Sequence, residues 1–144
     1  MTIIAWDGKT LAADRRATIN GTVLSVTKIR KIGDSLVGCA GDLDVAQTMF
    51  KWFEDGKDPQ KFPECQKDKD KWASMLEISK DGKIFRYERE AYPYLVEEPF
   101  FAVGSGMDVA LGALSMGGDA VKAVEIASKH LSCCGNGVDT LSLV

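Results

Sequence analysis

Two Asp-Gly-Lys turns, each between apolar segments, constrain the fold of this chain more than any other feature of its sequence. The first turn, at 7–9, separates TIIAW from TLAAD, and the second, at 81–83, separates MLEIS from IFRYE. An Asp-Gly pair between runs rich in β-branched and aromatic residues is the strongest local signal for a β-hairpin. The sequence therefore predicts two antiparallel hairpins, one at its start and one near its middle.

Further strands are predicted between and after these hairpins. Short apolar runs bounded by glycine-containing turns indicate strands at 23–32 and 35–40, and later in FFAVGSG and GVDTLSLV. Apolar residues at helical spacing predict helices over 44–55, 107–116 and 119–131. The segment 57–71 carries two prolines and many mixed charges, which is typical of a loop.

The order of these elements indicates the fold class. Strands, a helix, strands, two helices and a final strand are typical of an α+β protein in which antiparallel sheets stack and helices cover the outside. A length of 144 residues suits one domain with its own core, so residues 1–144 are interpreted as a single domain.

Composition argues against several classes of partner. The net charge is only −3 and the basic and acidic residues are interspersed, which argues against a nucleic-acid-binding protein. No apolar run reaches the length of a membrane span, and the first residues lack the pattern of a signal peptide. The protein is therefore expected to be cytoplasmic and to have no membrane partner.

Four cysteines are present and no two of them form a CxxC pair. In a reducing compartment they are expected to be free thiols that pack as small apolar side chains. A zinc site built from Cys39, His130, Cys133 and Cys134 is an alternative, although the last three have poor ligand spacing. No metal or cofactor is expected.

Four segments, taken together, resemble a known family. The chain resembles the proteasome β-subunit family, especially the bacterial HslV type, in collinear order along most of its length. The segments are TIIAW with GKTLAADRRAT, TKIRKIGDSLVGCAGDLDVA, FFAVGSGMDVALGAL and the terminal GNGVDTLSL. The resemblance implies the Ntn-hydrolase fold, a four-layer αββα sandwich. It also implies an N-terminal threonine peptidase that works on peptides or unfolded proteins within a homo-oligomeric ring, with an ATPase or other assembly partner left open.

The resemblance assigns a role to each of four side chains. Thr2 resembles the nucleophile, Lys28 of TKI the lysine beside it, Asp14 of AAD the acid that holds this lysine, and Ser105 of GSG the serine near the free amine. A threonine hydroxyl needs a base, and at a chain start its own α-amino group can serve. That role requires removal of Met1, which a small second residue such as threonine normally permits.

The remaining assignments concern the backbone and the length of the chain. Gly38, Ala40 and Gly41 of GCAG match the family loop whose backbone N–H lies near the oxyanion. The charged segment 57–71 stands in place of most of the family's second central helix, so the chain is interpreted as a shortened member.

The first hairpin allows two registers with different consequences. A two-residue turn at 7–8 pairs Trp6 with Lys9 and puts Thr2 and Asp14 on different faces of the sheet. A three-residue turn at 7–9 pairs Trp6 with Thr10 and Thr2 with Asp14, which is the geometry that the resemblance implies. The Asp-Gly preference favours the first register.

Two other functions stay open at this point. If Met1 is retained, the chain is interpreted as an inactive structural protein of the same fold, for example a component of a phage particle or another assembly, and then it would be virion-associated. A small-molecule amidase on the same fold is the third hypothesis.

Overall fold

The computed structural model describes residues 2–143, which form eleven strands and three α-helices. The strands are β1 (Ile4–Trp6), β2 (Thr10–Asp14), β3 (Arg16–Ile19), β4 (Thr22–Ser25), β5 (Ile29–Ile32), β6 (Ser35–Gly41), β7 (Ala73–Ile78), β8 (Ile84–Tyr87), β9 (Tyr94–Val96), β10 (Phe101–Val103) and β11 (Val138–Ser142). The helices are α1 (Leu43–Glu54), α2 (Met107–Ser115) and α3 (Ala120–His130). The three helices confirm the predicted positions to within one or two residues.

The strands form two main antiparallel sheets and a small ribbon. The first sheet has the order β10-β1-β2-β11, and the second has the order β5-β6-β7-β8-β9. Strands β3 and β4 pair with each other as a two-stranded ribbon. Both predicted hairpins are present, since β1 pairs with β2 and β7 pairs with β8.

Three buried apolar clusters lie between four layers. Because side chains alternate along a strand, Ile3 and Ala5 face α2 and α3, whereas Ile4 and Trp6 face the second sheet. The second sheet turns Val37 and other side chains toward α1 on its far side. The order of layers is therefore α2 with α3, first sheet, second sheet, α1, which confirms the predicted αββα sandwich.

The register of the first hairpin differs from both predicted registers. Trp6 pairs with Leu11 and the Asp7 N–H donates to the Thr10 carbonyl oxygen at 3.3 Å, so the turn centres on Gly8 and Lys9 and is displaced by one residue from the predicted Asp7-Gly8 turn. The carboxylate of Asp7 explains this, because its Oδ1 accepts hydrogen bonds from the N–H groups of Lys9 and Thr10, each at 2.8 Å. One residue beyond the ladder, the Asp14 N–H donates to the Ile3 carbonyl oxygen at 3.1 Å, so Asp14 lies opposite Ile3 and not opposite Thr2.

The predicted strand over 23–32 is interrupted. The chain changes partners at residues 26–28, where the Val26 N–H donates to the Arg15 carbonyl and the Lys28 carbonyl accepts from the Cys39 N–H. The first bond belongs to the ribbon and the second to the β5–β6 pair. This crossing from ribbon to sheet puts Lys28 at the boundary between them.

The segment 57–71 contains no long helix, as predicted. It forms two short 3-10 helices, Pro59–Lys61 and Glu64–Lys67. The amide of Gln66, fully buried, bonds to both the N–H and the carbonyl of Ala73 and so fastens this segment to β7. No helix within residues 2–143 is long and apolar enough to cross a bilayer.

Candidate active site

Asp14 and Lys28 form a buried ion pair at the end of β2. Lys28 Nζ lies 2.8 Å from Asp14 Oδ1, and the side chains are 4% and 0% exposed. The same oxygen accepts the Ile3 N–H at 3.0 Å, and Oδ2 accepts those of Arg16 at 3.1 Å and Gly135 at 3.0 Å. Charge-assisted hydrogen bonds of this kind compensate for burial of the carboxylate and fix its orientation.

Thr2 is buried close to this pair, since the N–H of the following residue, Ile3, donates to Asp14. Thr2 and Lys28 are each 4% exposed. Both line a cleft of about 500 Å³, whose other walls come from residues 16–20, 41–44 and 71. The cleft thus runs from the start of the chain, past the β3–β4 ribbon, to the beginning of α1.

The loop between β10 and α2 holds the backbone of Thr2. Ser105 Oγ accepts a hydrogen bond from the Thr2 nitrogen at 3.0 Å, and the Gly106 N–H donates to the Thr2 carbonyl oxygen at 3.1 Å. Gly104 has a φ of +105°, and a Cβ there would overlap the Thr2 carbonyl oxygen. Glycine at 104 therefore permits the close approach that brings Ser105 to the Thr2 nitrogen.

The three backbone positions predicted near the oxyanion do not lie in a loop. Gly38, Ala40 and Gly41 all belong to β6, a central strand of the second sheet. Gly38 lies between the sheets, where a Cβ would meet the side chains of Ile29 and Ile4 at 3.0 Å. Ala40 is buried in the same core. Gly38 and Ala40 therefore pack the sheets, and only Gly41, at the end of the strand, lines the cleft.

The direction of the Gly41 N–H follows from the strand geometry. The Cys39 N–H donates to the Lys28 carbonyl oxygen, and alternate N–H groups of a strand point to the same side. The N–H of Gly41 therefore points toward the side on which Lys28 lies. A φ of +136° at Gly41 and the proximity of the Trp72 carbonyl oxygen both require glycine there.

The loop after α3 also supports the site, a role that the sequence did not predict. Besides the Gly135 contact with Asp14, the Gly135 carbonyl accepts the Arg15 N–H at 2.9 Å. Asn136 Oδ1 accepts from Arg16 Nε at 3.1 Å, and its Nδ2 donates to Leu24 O at the same distance, which ties the loop to the β3–β4 ribbon. The Gly-Asn-Gly sequence could have indicated this tight loop, because glycine and asparagine are the residues that most readily adopt positive φ, as Gly135 and Asn136 do here.

The zinc alternative is not supported by the geometry. Within residues 2–143 no group of three or more His, Cys, Asp or Glu side chains could hold a metal ion. Cys39 lies between α1 and the second sheet, whereas Cys134 belongs to the cluster between the first sheet and its helices. The two cysteines therefore lie in different clusters, on opposite sides of the two stacked sheets, which keeps the proposed ligands apart.

Comparison with known proteins relates this geometry to solved structures. No family model matches the sequence. No curated protein matches it either. Among solved structures, Thiobacillus denitrificans BPH in complex with epoxomicin is similar at a TM-score of 0.75 and 21% identity, with 100% of both chains covered. A second structure of Thiobacillus denitrificans BPH has a TM-score of 0.75 and 20% identity, with 100% of this chain and 99% of that chain covered.

Eukaryotic HslV from Trypanosoma brucei is similar at a TM-score of 0.72 and 22% identity, and the match covers 97% of each chain. At such identity the likeness establishes the fold, and it does so over essentially the whole length of the chain. This chain therefore has an α+β fold, an Ntn-hydrolase-like αββα sandwich that is similar to the fold of the BPH and HslV structures.

Proposed function

We propose that this chain is an HslV-like threonine peptidase subunit that becomes active when removal of Met1 exposes the amine of Thr2. The observation that carries the proposal is the buried Asp14–Lys28 ion pair, whose lysine lines the same cleft as Thr2. Burying two charges is costly, and a purely structural role would be served as well by apolar side chains. An activated nucleophile, by contrast, needs a fixed cation beside it.

The chemistry follows from the positions of these groups. The free amine of Thr2 takes the proton of the Thr2 hydroxyl as its oxygen attacks the peptide carbonyl. The ammonium of Lys28 stabilises the developing negative charge on the nucleophile, and Asp14 holds that ammonium in place. The Gly41 N–H donates to the oxyanion.

Collapse of the tetrahedral intermediate breaks the peptide bond and leaves an ester on Thr2 Oγ. The departing amine takes the proton held by the Thr2 amine. Water, activated by the same amine, then hydrolyses the ester and regenerates the hydroxyl. Ser105 contributes as a positioning residue, because its Oγ lies 3.0 Å from the Thr2 nitrogen that must act as the base.

The cleft suits an extended peptide as substrate. In the described residues β3 pairs with β4 alone, so its other edge beyond Arg16, whose N–H already donates to Asp14, can take a further strand. Residues 16–20 line the cleft. A peptide that adds to β3 would form main-chain hydrogen bonds that are independent of its sequence. Side chains of either charge face the cleft, Arg16 and Lys71 among the bases and Asp42 and Asp44 among the acids.

The test combines intact mass with a threonine-directed epoxyketone. Epoxomicin is the suitable probe, because it is bound in the similar structure of Thiobacillus denitrificans BPH. The purified protein is expected to lack Met1 and to gain the mass of one epoxomicin on its N-terminal peptide. Thr2→Ala and Lys28→Met are expected to abolish both labelling and peptide cleavage.

Matched controls separate chemistry from general damage. Thr48 on the outer face of α1 and Lys31 on β5 are exposed and lie outside the cleft, so Thr48→Ala and Lys31→Met are expected to label like the parent protein. A protein that has lost Met1 but resists epoxomicin would contradict the active-site assignment. A protein that keeps Met1 and is not labelled would contradict the peptidase proposal and favour a structural protein of the same fold.

We also propose that the chain assembles into a symmetric homo-oligomer. Large apolar side chains are exposed at the surface, among them Tyr92 at 74% and Met116 at 89%. Such residues favour association between copies, and closed symmetric rings or dimers are the common outcome. Light scattering at micromolar concentration is expected to give a mass that is a multiple of 15.7 kDa. Observation of the 15.7 kDa species alone would contradict this proposal.

A further inference from the structure

The side chain of Asn136 makes three hydrogen bonds, and all three reach the β3–β4 ribbon. Its Oδ1 accepts from Arg16 Nε on β3 at 3.1 Å. Its Nδ2 donates to the Leu24 carbonyl oxygen and to Ser25 Oγ on β4, each at 3.1 Å. One exposed amide in the loop after α3 therefore binds both strands of the ribbon.

The backbone of this loop does little to fix its own position. Gly135, Asn136 and Gly137 have φ values of +154°, +64° and +99°, in the region that glycine and asparagine enter most readily. Two glycines in three residues give the chain much conformational freedom, so a fixed loop needs contacts from elsewhere in the fold. The side chain of Asn136 supplies such contacts.

The guanidinium of Arg16 is the second part of this link, because it spans the loop. Its Nη1 donates to the Ser132 carbonyl oxygen at 2.8 Å, and its Nε donates to Asn136. Between these two points the guanidinium lies against Gly135, where a Cβ would meet Arg16 Nη2 at 2.8 Å. Asn136 thus fixes the guanidinium that packs on Gly135.

Gly135 is the residue through which the loop reaches the candidate site. Its N–H donates to Asp14 Oδ2 at 3.0 Å, the oxygen that also accepts the Arg16 N–H at 3.1 Å. Asp14 Oδ1 lies 2.8 Å from Lys28 Nζ. Because both oxygens belong to one planar carboxylate, the donors on Oδ2 help to set the direction in which Oδ1 meets the ammonium.

We propose that Asn136 is a positioning residue for the Asp14–Lys28 pair. Its side chain holds the loop so that the Gly135 N–H stays on Asp14 Oδ2. The carboxylate then keeps the orientation that places the Lys28 ammonium beside the nucleophile. The catalytic part of this proposal rests on the proposed function, whereas the hold on Asp14 can be measured without any activity.

The variant Asn136→Gly tests the hold on Asp14 without straining the backbone. Glycine adopts a φ of +64° freely, so this change removes the three hydrogen bonds and keeps the loop conformation accessible. Native-state hydrogen exchange by NMR at pH 7 follows the N–H groups of Gly135 and Ile3, which donate to different oxygens of Asp14. Exchange is expected to become at least about tenfold faster at Gly135 and to stay within about twofold of the parent rate at Ile3.

Two results of the exchange experiment would overturn the proposal. An unchanged rate at Gly135 would show that the side chain of Asn136 does not hold it on Asp14. Equal acceleration at Gly135 and Ile3 would show that the variant loosens the fold as a whole.

The matched control is Gln47→Ala. Gln47 Oε1 accepts from Arg30 Nη2 at 3.2 Å, so this change removes an exposed hydrogen bond between an amide and a guanidinium, on α1 and outside the cleft. Exchange at Gly135 is expected to match that of the parent protein. A similar acceleration in both variants would contradict the proposal.

The rate of epoxomicin labelling tests the consequence for the nucleophile. In Asn136→Gly the rate constant at saturating epoxomicin is expected to fall about tenfold, and the concentration that gives half of this rate to change by less than about twofold. The reason is that Lys28 acts in the chemical step and not in binding. An unchanged saturating rate with weaker binding would assign Asn136 to support of the β3 edge alone and would overturn the proposal.

The same experiment separates this proposal from the proposed function. Gln47→Ala is expected to be labelled at the parent rate. Absence of labelling in the parent protein would refute the proposed function, whereas the exchange rates at Gly135 and Ile3 would still decide whether Asn136 holds Asp14.

Discussion

Replacement of Asp14 with asparagine removes the buried charge around which the candidate site is organised. The carboxylate is 0% exposed and accepts hydrogen bonds from Lys28 Nζ and from backbone N–H groups of Ile3, Arg16 and Gly135. Asparagine keeps one acceptor oxygen and puts an NH₂ donor in place of the other. Some of these donors would then face a donor, and the Lys28 ammonium would lose the opposite charge at 2.8 Å.

The expected cost is a large part of the stability of a domain of this size. Removal of one partner from a buried ion pair costs about 3–5 kcal/mol, and each buried donor left without an acceptor costs about 1–3 kcal/mol. Because these costs concern the same few atoms, we expect a total of about 5 kcal/mol. Lys28→Met should cost less than Asp14→Asn, since the carboxylate keeps its backbone donors.

Urea unfolding followed by circular dichroism at pH 7 and fixed protein concentration measures this cost. With an m-value of about 2 kcal/mol per molar urea, the midpoint should fall by about 2 M or more. Asp139→Asn is the matched control, because Asp139 pairs with Arg15 at 3.2 Å but both side chains are about a third exposed. Its cost should stay below about 1 kcal/mol. A loss below about 1 kcal/mol in Asp14→Asn would refute the account of this pair.

Two further substitutions test local features. Gly41→Ala should destabilise the protein by about 3 kcal/mol or more in thermal unfolding, because φ is +136° and a Cβ would overlap the Trp72 carbonyl oxygen. Gly33→Ala, with a φ of +61° and open space, should cost about 1 kcal/mol, and equal losses in the two variants would contradict this reasoning. For Asp7, burial acts to raise the pKa, but hydrogen bonds from backbone N–H groups outweigh it and lower the pKa below 3.8. Asp7→Asn should therefore cost about 1 kcal/mol at neutral pH, and its difference from the parent should shrink as the pH falls below 3.8. Asp34→Asn, in an exposed turn, is the matched control and should cost less than about 0.5 kcal/mol at neutral pH. A loss of stability in Asp7→Asn that does not change with pH would exclude the carboxylate charge as its cause.

The sequence predicted the elements that depend on local pattern. The helix over 44–55 is α1 (Leu43–Glu54), because its apolar spacing and the Asp42 cap both act within a few residues. The hairpin at Asp7-Gly8 was also predicted, but its register was wrong. The reason is a side-chain contact within the turn. The Asp7 carboxylate binds the N–H groups of Lys9 and Thr10, so Asp7 stands before the turn and not at its centre, and the general preference for Asp-Gly turns does not include this contact.

The candidate site was predicted in part, and the resemblance carried that part. It brought Asp14 and Lys28 into one hypothesis, and the structure puts them 2.8 Å apart. It also grouped Gly38 with Gly41, although only Gly41 lines the cleft. Gly38 lies inside β6 between the two sheets, whereas Gly41 lies at the end of β6 next to the cleft. Residue type alone does not distinguish these two positions.

The sequence by itself determined where strands, turns and helices form, since alternation, helical spacing and turn residues act between near neighbours along the chain. Only the tertiary structure decided which of them meet at Thr2. Ser105 contacts Thr2 across 103 residues of sequence, and Gly135 contacts Asp14 across 121. Such contacts depend on how two sheets and their helices stack, and stacking is set by the shape and volume of the whole apolar core.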